Sequence, residues 1–132
     1  MFQYMIGNTD WSLPNFHNLK MIVPKVDTLA ASYIIPYDFD YTGFVNAHYA
    51  VPQEQFGNAT LKERVYRGEP RNPSEVQKVI DLFNEKRERI MYYVRNFELL
   101  STRSKKDIVD YLEEFYNTIN SKKALRSIFK SQ

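Results

Sequence analysis

The sequence predicts an α+β fold, mainly α, in which a short β-hairpin packs on a helical C-terminal half. Two brief β-favouring runs near the N-terminus flank a turn, a glycine-bearing stretch with scattered aromatics follows, and the second half repeats apolar residues at three- and four-residue intervals. A chain of 132 residues can bury one hydrophobic core, so residues 1–132 are expected to form a single domain. The hydrophobic fraction of 43% and the charged fraction of 26% are those of a globular chain and exclude disorder throughout.

Residues 2–6 are apolar and aromatic without strand alternation, which predicts the end of a helix stopped by Gly7 and Asn8, with the rest of that helix expected upstream. Residues 19–23 and 33–35 are apolar or β-favouring, and Pro24, Lys25, Val26, Asp27 and Thr28 supply turn chemistry between them, so residues 1–40 are expected to carry a hairpin. Residues 41–72 hold three of the four glycines, and their aromatics follow no period, which predicts a long ordered loop. Residues 73–132 form the helical part. Asn72, Pro73 and Glu75 predict a capped helix start, and Val76, Val79, Ile80, Phe83, Ile90, Tyr93, Val94, Phe97 and Leu100 form one apolar stripe along a long helix. Ser104 and Asp107 predict a second capping box, before a helix buried through Ile108, Tyr111, Leu112, Phe115 and Ile119. A short last helix from Ser121 to about Phe129 is expected to turn Leu125, Ile128 and Phe129 inward.

Several function classes are excluded at this level. With no cysteine there is no disulfide, thiolate nucleophile or zinc–thiolate site, although the compartment stays open. A formal charge of +2, from 18 basic against 16 acidic residues, gives no support to a nucleic-acid partner. The one local excess, four cations and no acid over residues 122–130, reads first as a solvated helix face and second as a contact for an anionic partner. No apolar run is long enough to cross a bilayer and no leader pattern opens the chain, so no membrane association is expected and localisation is undetermined. His17 and His48 lack the support of a zinc pair, and no serine stands in a nucleophile-elbow context.

Polar groups interrupt the otherwise apolar N-terminal segment at Asp10, at Asn18, and at Asp38 with Asp40. A hairpin over residues 19–35 would collect them at its open end, where carboxylates and a carboxamide offer oxygen ligands only, as a hard cation such as Mg²⁺ requires. Each also has an ordinary reading, in which Asp10 and Asn18 cap turns and Asp38 and Asp40 are loop acids. Asn15, five residues after Asp10, competes with Asn18; the strand that begins immediately after Asn18 favours the latter.

Asn8-Thr9-Asp10-Trp11, then His17-Asn18-Leu19-Lys20, then Pro36-Tyr37-Asp38-Phe39-Asp40 follow the order in which protein kinases place base, second metal ligand and principal metal ligand. The stretch resembles atypical kinases of the HipA and spore-coat CotH types. Residues 2–10 and 36–50 look like the C-terminal portion of an uncharacterised, mainly Bacteroidetes-type family. The resemblance implies a kinase C-lobe-like fold whose hairpin carries the catalytic and metal-binding loop. It makes Asp10 the catalytic carboxylate, makes Asn18 and Asp38 Mg²⁺ ligands with Asp40 assisting, and makes ATP the phosphate donor. Lys20 could then reach a phosphate from its strand. Arg64, Tyr66, Arg67 and Arg71 cluster before the long helix and either hold phosphate or an acidic substrate, with Arg67 as the contact to the nucleotide, or pin the long loop to the carboxylates.

A kinase also needs a glycine-rich cover and a strand lysine on the other side of the phosphates, and neither pattern occurs here. The chain is therefore expected to be a fragment that lacks an upstream nucleotide-clamping lobe, weak or inactive alone, its hairpin exposing a face to that missing lobe. The alternative expectation is a non-catalytic helical module that binds a protein partner through exposed aromatics, and a weaker third is an anion or nucleic-acid binder working through the basic C-terminus.

Overall fold

The computed structural model describes residues 1–27 and 30–130, so Thr28 of the expected turn lies outside the described residues. The fold is α+β and mainly helical, in the order α1 (Phe2–Met5), β1 (Leu19–Ile22), β2 (Tyr33–Pro36), α2 (Pro73–Asn96), α3 (Thr102–Ile119) and α4 (Lys122–Lys130), with one short 3₁₀ turn at Glu54–Phe56. The chain divides into two compact units, one of Met1–Ile6 with Tyr66–Gln132 and one of Gly7–Val65.

In the Gly7–Val65 unit, β1 and β2 form an antiparallel hairpin with Leu19 opposite Pro36 and Ile22 opposite Tyr33. One further bond, from the Tyr37 N–H to the Asn18 carbonyl at 3.0 Å, extends the ladder past the strands to the open end. Leu19 is the one buried residue of the two strands, and Met21, Ile22, Tyr33, Ile34 and Ile35 are exposed. The interior of this unit is instead largely polar. Asn8, Thr9, Asn18, Thr42 and Asn58 are buried, with Leu61 among the few apolar side chains that join them. Buried polar groups require partners, and Thr42 shows how they are met. Its hydroxyl donates to the Phe39 carbonyl at 2.7 Å and accepts from the Val45 N–H at 3.1 Å, while its backbone bridges to Asn8.

The other unit is held by aromatic and aliphatic packing. Helix α2 starts on Asn72, whose side chain accepts the Glu75 N–H at 3.0 Å with Pro73 at the first helical position, as the capping pattern predicts. The helix ends at Asn96, so Phe97 and Leu100 do not continue the stripe expected to reach them. The buried face is also rotated from the expected one: Met91 is 0% exposed and Tyr93 is 60% exposed. A 3.6-residue period started at Ile80 passes Phe83, Arg87, Met91 and Val94, leaving Tyr93 more than a third of a turn away. Arg87 thus lies on the inner side, donating to Glu113 of α3 at 2.6 Å with its guanidinium 5.3 Å from the Tyr116 ring centre.

Helix α3 begins three residues earlier than the expected box at Ser104 and Asp107. Ser101 is the cap, its hydroxyl oxygen accepting the Ser104 N–H at 3.0 Å. Its buried face holds Tyr111, Leu112, Phe115 and Ile119 as expected, and also Tyr116, whose hydroxyl donates to the Phe83 carbonyl at 3.3 Å. Phe115 packs edge-on against Phe83 with centroids 5.5 Å apart and tilts against Tyr4 of α1 at 6.2 Å. Reciprocal amide bonds of 2.9 and 3.0 Å between Asn84 and Asn120 pin α2 to the end of α3. Helix α4 follows from Ser121, whose hydroxyl accepts the Ala124 N–H at 3.3 Å, and Leu125, Ile128 and Phe129 are half-buried. Among the described residues no helix is long and apolar enough to cross a membrane.

The rotated face of α2 predicts opposite outcomes for two neighbouring truncations. Met91→Ala should cost about 2–5 kcal/mol in urea unfolding, from lost burial and the cavity left behind, whereas Tyr93→Ala should change stability by no more than about 0.5 kcal/mol. Equal losses from the two would show that the helix presents the face the apolar count suggests.

Candidate metal and catalytic centre

The open end of the hairpin collects the polar residues of the N-terminal segment. Asp10 follows Asn8 in a tight turn, the Asn8 carboxamide oxygen accepting the Asp10 N–H at 2.8 Å and the Asn8 carbonyl accepting the Trp11 indole N–H at 3.2 Å. The chain then makes a small loop closed by paired backbone bonds between Ser12 and His17, at 3.1 and 3.0 Å, and a bond of 3.3 Å from the Phe16 N–H to the Leu13 carbonyl. Phe16 sits at φ +50°, a conformation that a bulky side chain rarely adopts, with its ring exposed.

The loop returns the chain to Asn18, which is buried at φ +52°, a region that asparagine tolerates better than most residues. Its side-chain nitrogen donates to the Asp10 carbonyl at 2.9 Å and to the Asp10 carboxylate at 3.0 Å. Both amide hydrogens are thereby used, and the carboxamide oxygen is the atom left to meet a cation. Asn15, the competing candidate, is exposed in the loop, its N–H 3.4 Å from the Ser12 hydroxyl. The structure brings Asn18, not Asn15, against Asp10.

Two further groups hold the Asp10 carboxylate, and neither was foreseen in that role. His17 Nε2 lies 3.0 Å from one carboxylate oxygen, and Gln53 Nε2 donates to the same oxygen at 3.1 Å while its own oxygen accepts from Gln55 at 3.2 Å. Gln53 stands 43 positions from Asp10 and belongs to no motif, so nothing in the sequence signals it. His17 could have been suspected from its place beside Asn18.

Asp38 lies two residues beyond β2, exposed and at φ +60°. The hydrogen bond from its side chain to Asp40 raises its carboxyl above the ordinary value of 3.8; the Asp40 charge, partial desolvation and the Asp10 charge add to the rise, and the Asp40 backbone N–H pulls the other way. Asp40 in turn accepts the Tyr49 hydroxyl at 3.0 Å, and that bond, with the negative charge nearby, raises the Tyr49 phenol. Lys20, facing solvent on β1, holds its ammonium 5.4 Å from the Tyr37 ring centre, next in sequence to Asp38. Arg64 belongs to the same unit as these residues, whereas Tyr66, Arg67 and Arg71 belong to the other. His48 lies edge-on to Tyr49, with ring centres 5.3 Å apart.

Among the described residues no three His, Asp or Glu side chains converge as a ready-made metal site. The donors at the hairpin's open end are two carboxylates sharing a hydrogen bond and one carboxamide oxygen, all hard. Mg²⁺ commonly binds through one or two carboxylates and keeps water or phosphate oxygens for the rest of its shell, so the donor set fits it. No protein family, curated protein or solved structure matches the chain.

Asp40→Asn should move the Asp38 titration midpoint down, because it removes the partner that favours the protonated form; carbon-detected NMR of the side-chain carboxyls reads this directly. The sign for stability follows. Between 3.8 and the raised midpoint the folded chain binds more protons than the unfolded one, so this pair makes stability fall as pH rises through that window. A midpoint that ignores the substitution would mean that the two carboxyls do not interact.

Proposed function

We propose that the Gly7–Val65 unit carries the catalytic loop and metal-binding arm of a kinase-like phosphotransferase that uses Mg²⁺ and ATP. The observation that carries this reading is the double hydrogen bond from Asn18 to Asp10, made where β1 begins. It fixes the carboxylate of one loop and aims a carboxamide oxygen away from it, while the hairpin returns the chain to Asp38 on the far side.

In this reading Asp10 orients the acceptor hydroxyl and takes its proton as the hydroxyl oxygen forms a bond to the γ-phosphorus, and the bond to the β,γ-bridging oxygen breaks to release ADP. His17, Gln53 and Asn18 hold the Asp10 carboxylate in one orientation, so little ordering is left for the reaction itself. Asn18 and Asp38 would hold Mg²⁺ with Asp40 assisting, and the ion would neutralise phosphate charge. Lys20 offers a further positive charge on the same strand as Leu19. A glycine-rich cover and a paired strand lysine would come from an upstream lobe or from a partner chain.

A second reading, as a non-catalytic module that binds another protein, is favoured by a different observation. Met21, Ile22, Val23, Tyr33, Ile34 and Ile35 are all exposed on one hairpin, and Tyr92 and Tyr93 are exposed on α2 with Phe97 just past its end. Exposed apolar side chains gathered on one element commonly mark an interaction site. It is also compatible with the first reading, if the partner is the clamping lobe.

Titration calorimetry of ATP with Mg²⁺ into the chain should show binding that Asp38→Ala abolishes. Asp10→Asn should retain that binding, since it keeps the shape of the side chain and leaves Asn18 and Asp38 in place. Binding indifferent to Asp38→Ala would remove the phosphotransfer reading, and binding to neither protein would leave in front a fragment that needs its clamping lobe or the protein-binding module. For the second reading, Ile34→Asp should lower recovery of a co-purifying protein or reduce self-association by sedimentation, with Asp38→Ala having no effect.

A further inference from the structure

The unit of Met1–Ile6 with Tyr66–Gln132 contains an open cavity of about 430 Å³, a volume within the range of small-molecule sites. Val76 and Val79 on the first turns of α2 and Phe129 of α4 give it an apolar wall. Tyr66 completes that wall, its ring edge-on to Phe129 with centroids 4.9 Å apart. The Tyr66 position depends on Gly68: a Cβ there would lie 2.6 Å from the Tyr66 hydroxyl oxygen, so any side chain at 68 would displace the phenol. Burial raises the Tyr66 phenol, and the Arg71 charge pulls the other way.

The charge around this wall is unbalanced. Arg71 and Lys78 line the cavity with a single carboxylate, Glu75, and Met1 lines it too, its α-amino group held below its ordinary value by burial. Neither cation forms an ion pair among the described residues. An apolar wall with a surplus positive charge is complementary to an apolar body bearing one negative charge.

We propose that this cavity binds a small monocarboxylic acid with an aromatic or branched apolar body, the carboxylate facing Arg71 and Lys78 and the body lying against Val76, Val79 and Phe129. None of these residues belongs to the proposed phosphotransfer centre, so the site stands or falls independently of it.

Three probes share one body and differ in head group: 3-phenylpropionate, 3-phenylpropanol and 3-phenylpropylamine. In amide NMR titrations of the full chain, 3-phenylpropionate should shift Val76, Lys78, Val79 and Phe129, and bind about tenfold or more tighter than the alcohol, as expected for one charge-assisted hydrogen bond. The amine should bind no better than the alcohol. Filling the cavity with Val79→Phe should abolish the shifts, and Arg71→Gln, at an exposed position that leaves the packing intact, should reduce affinity for the acid but not for the alcohol. Asp38→Ala should change nothing. An acid that binds no tighter than the alcohol, a preference for the amine, absence of shifts at millimolar probe, or shifts confined to the hairpin would each overturn the proposal.

Discussion

The interlock between Asn18 and Asp10 is the constraint on which the Gly7–Val65 unit depends. One buried carboxamide closes the loop that precedes the hairpin by gripping both the carbonyl and the carboxylate of Asp10. The residue at this place must accept a left-handed backbone and supply two donors from a short side chain, and asparagine does both. Asn8 performs the complementary task one turn earlier, accepting the Asp10 N–H and pairing its backbone with Thr42. The loop geometry is therefore specified by directional bonds rather than by packing. Such a network is intolerant of single changes, because each member left alone becomes an unsatisfied buried group.

The two units thus solve the problem of stability by different physics. Around Phe115, Tyr116 and Leu112 the helices exclude water with large apolar side chains, and the polar links between Arg87 and Glu113 or Asn84 and Asn120 set which way the helices register. In the Gly7–Val65 unit the apolar residues of the hairpin other than Leu19 face outward, and the interior is largely asparagine and threonine. Burial of apolar area is tolerant of substitution at similar volume. A polar interior is not, which suits a region whose side chains must be held in fixed directions.

Much of this was legible in the sequence. The strands declared themselves through β-favouring runs, and α2 through Asn72 and Pro73, because those signals act locally. The face of α2 was misjudged at Met91 and Tyr93, since counting apolar residues at intervals of three and four lets the stripe drift, and because a tyrosine counts as apolar whether or not it is buried. The start of α3 was misplaced because Asp107 completes a plausible box, while the functioning cap, Ser101, pairs with a second serine. At the candidate centre Asp10 and Asn18 are gathered by the small loop that Ser12 and His17 close, and Asp38 and Asp40 are near neighbours in sequence, so the hairpin has only to return the chain from the first pair to the second. Gln53 was invisible: its contact to Asp10 depends on how a long irregular segment folds back, and no local pattern encodes that.

The hairpin itself has a further consequence, for the handling of the chain rather than its chemistry. Its sheet has two strands, so among the described residues each strand has an outer edge with no sheet partner. Unpaired edges template the addition of strands from other molecules, and proteins blunt them with charge and proline. Lys20 guards β1, and Pro36 closes β2, but the run Tyr33-Ile34-Ile35 carries no charge at all. At high concentration this short stretch is where intermolecular β-addition, and with it aggregation, would begin, and a charge placed at Ile34 would oppose it.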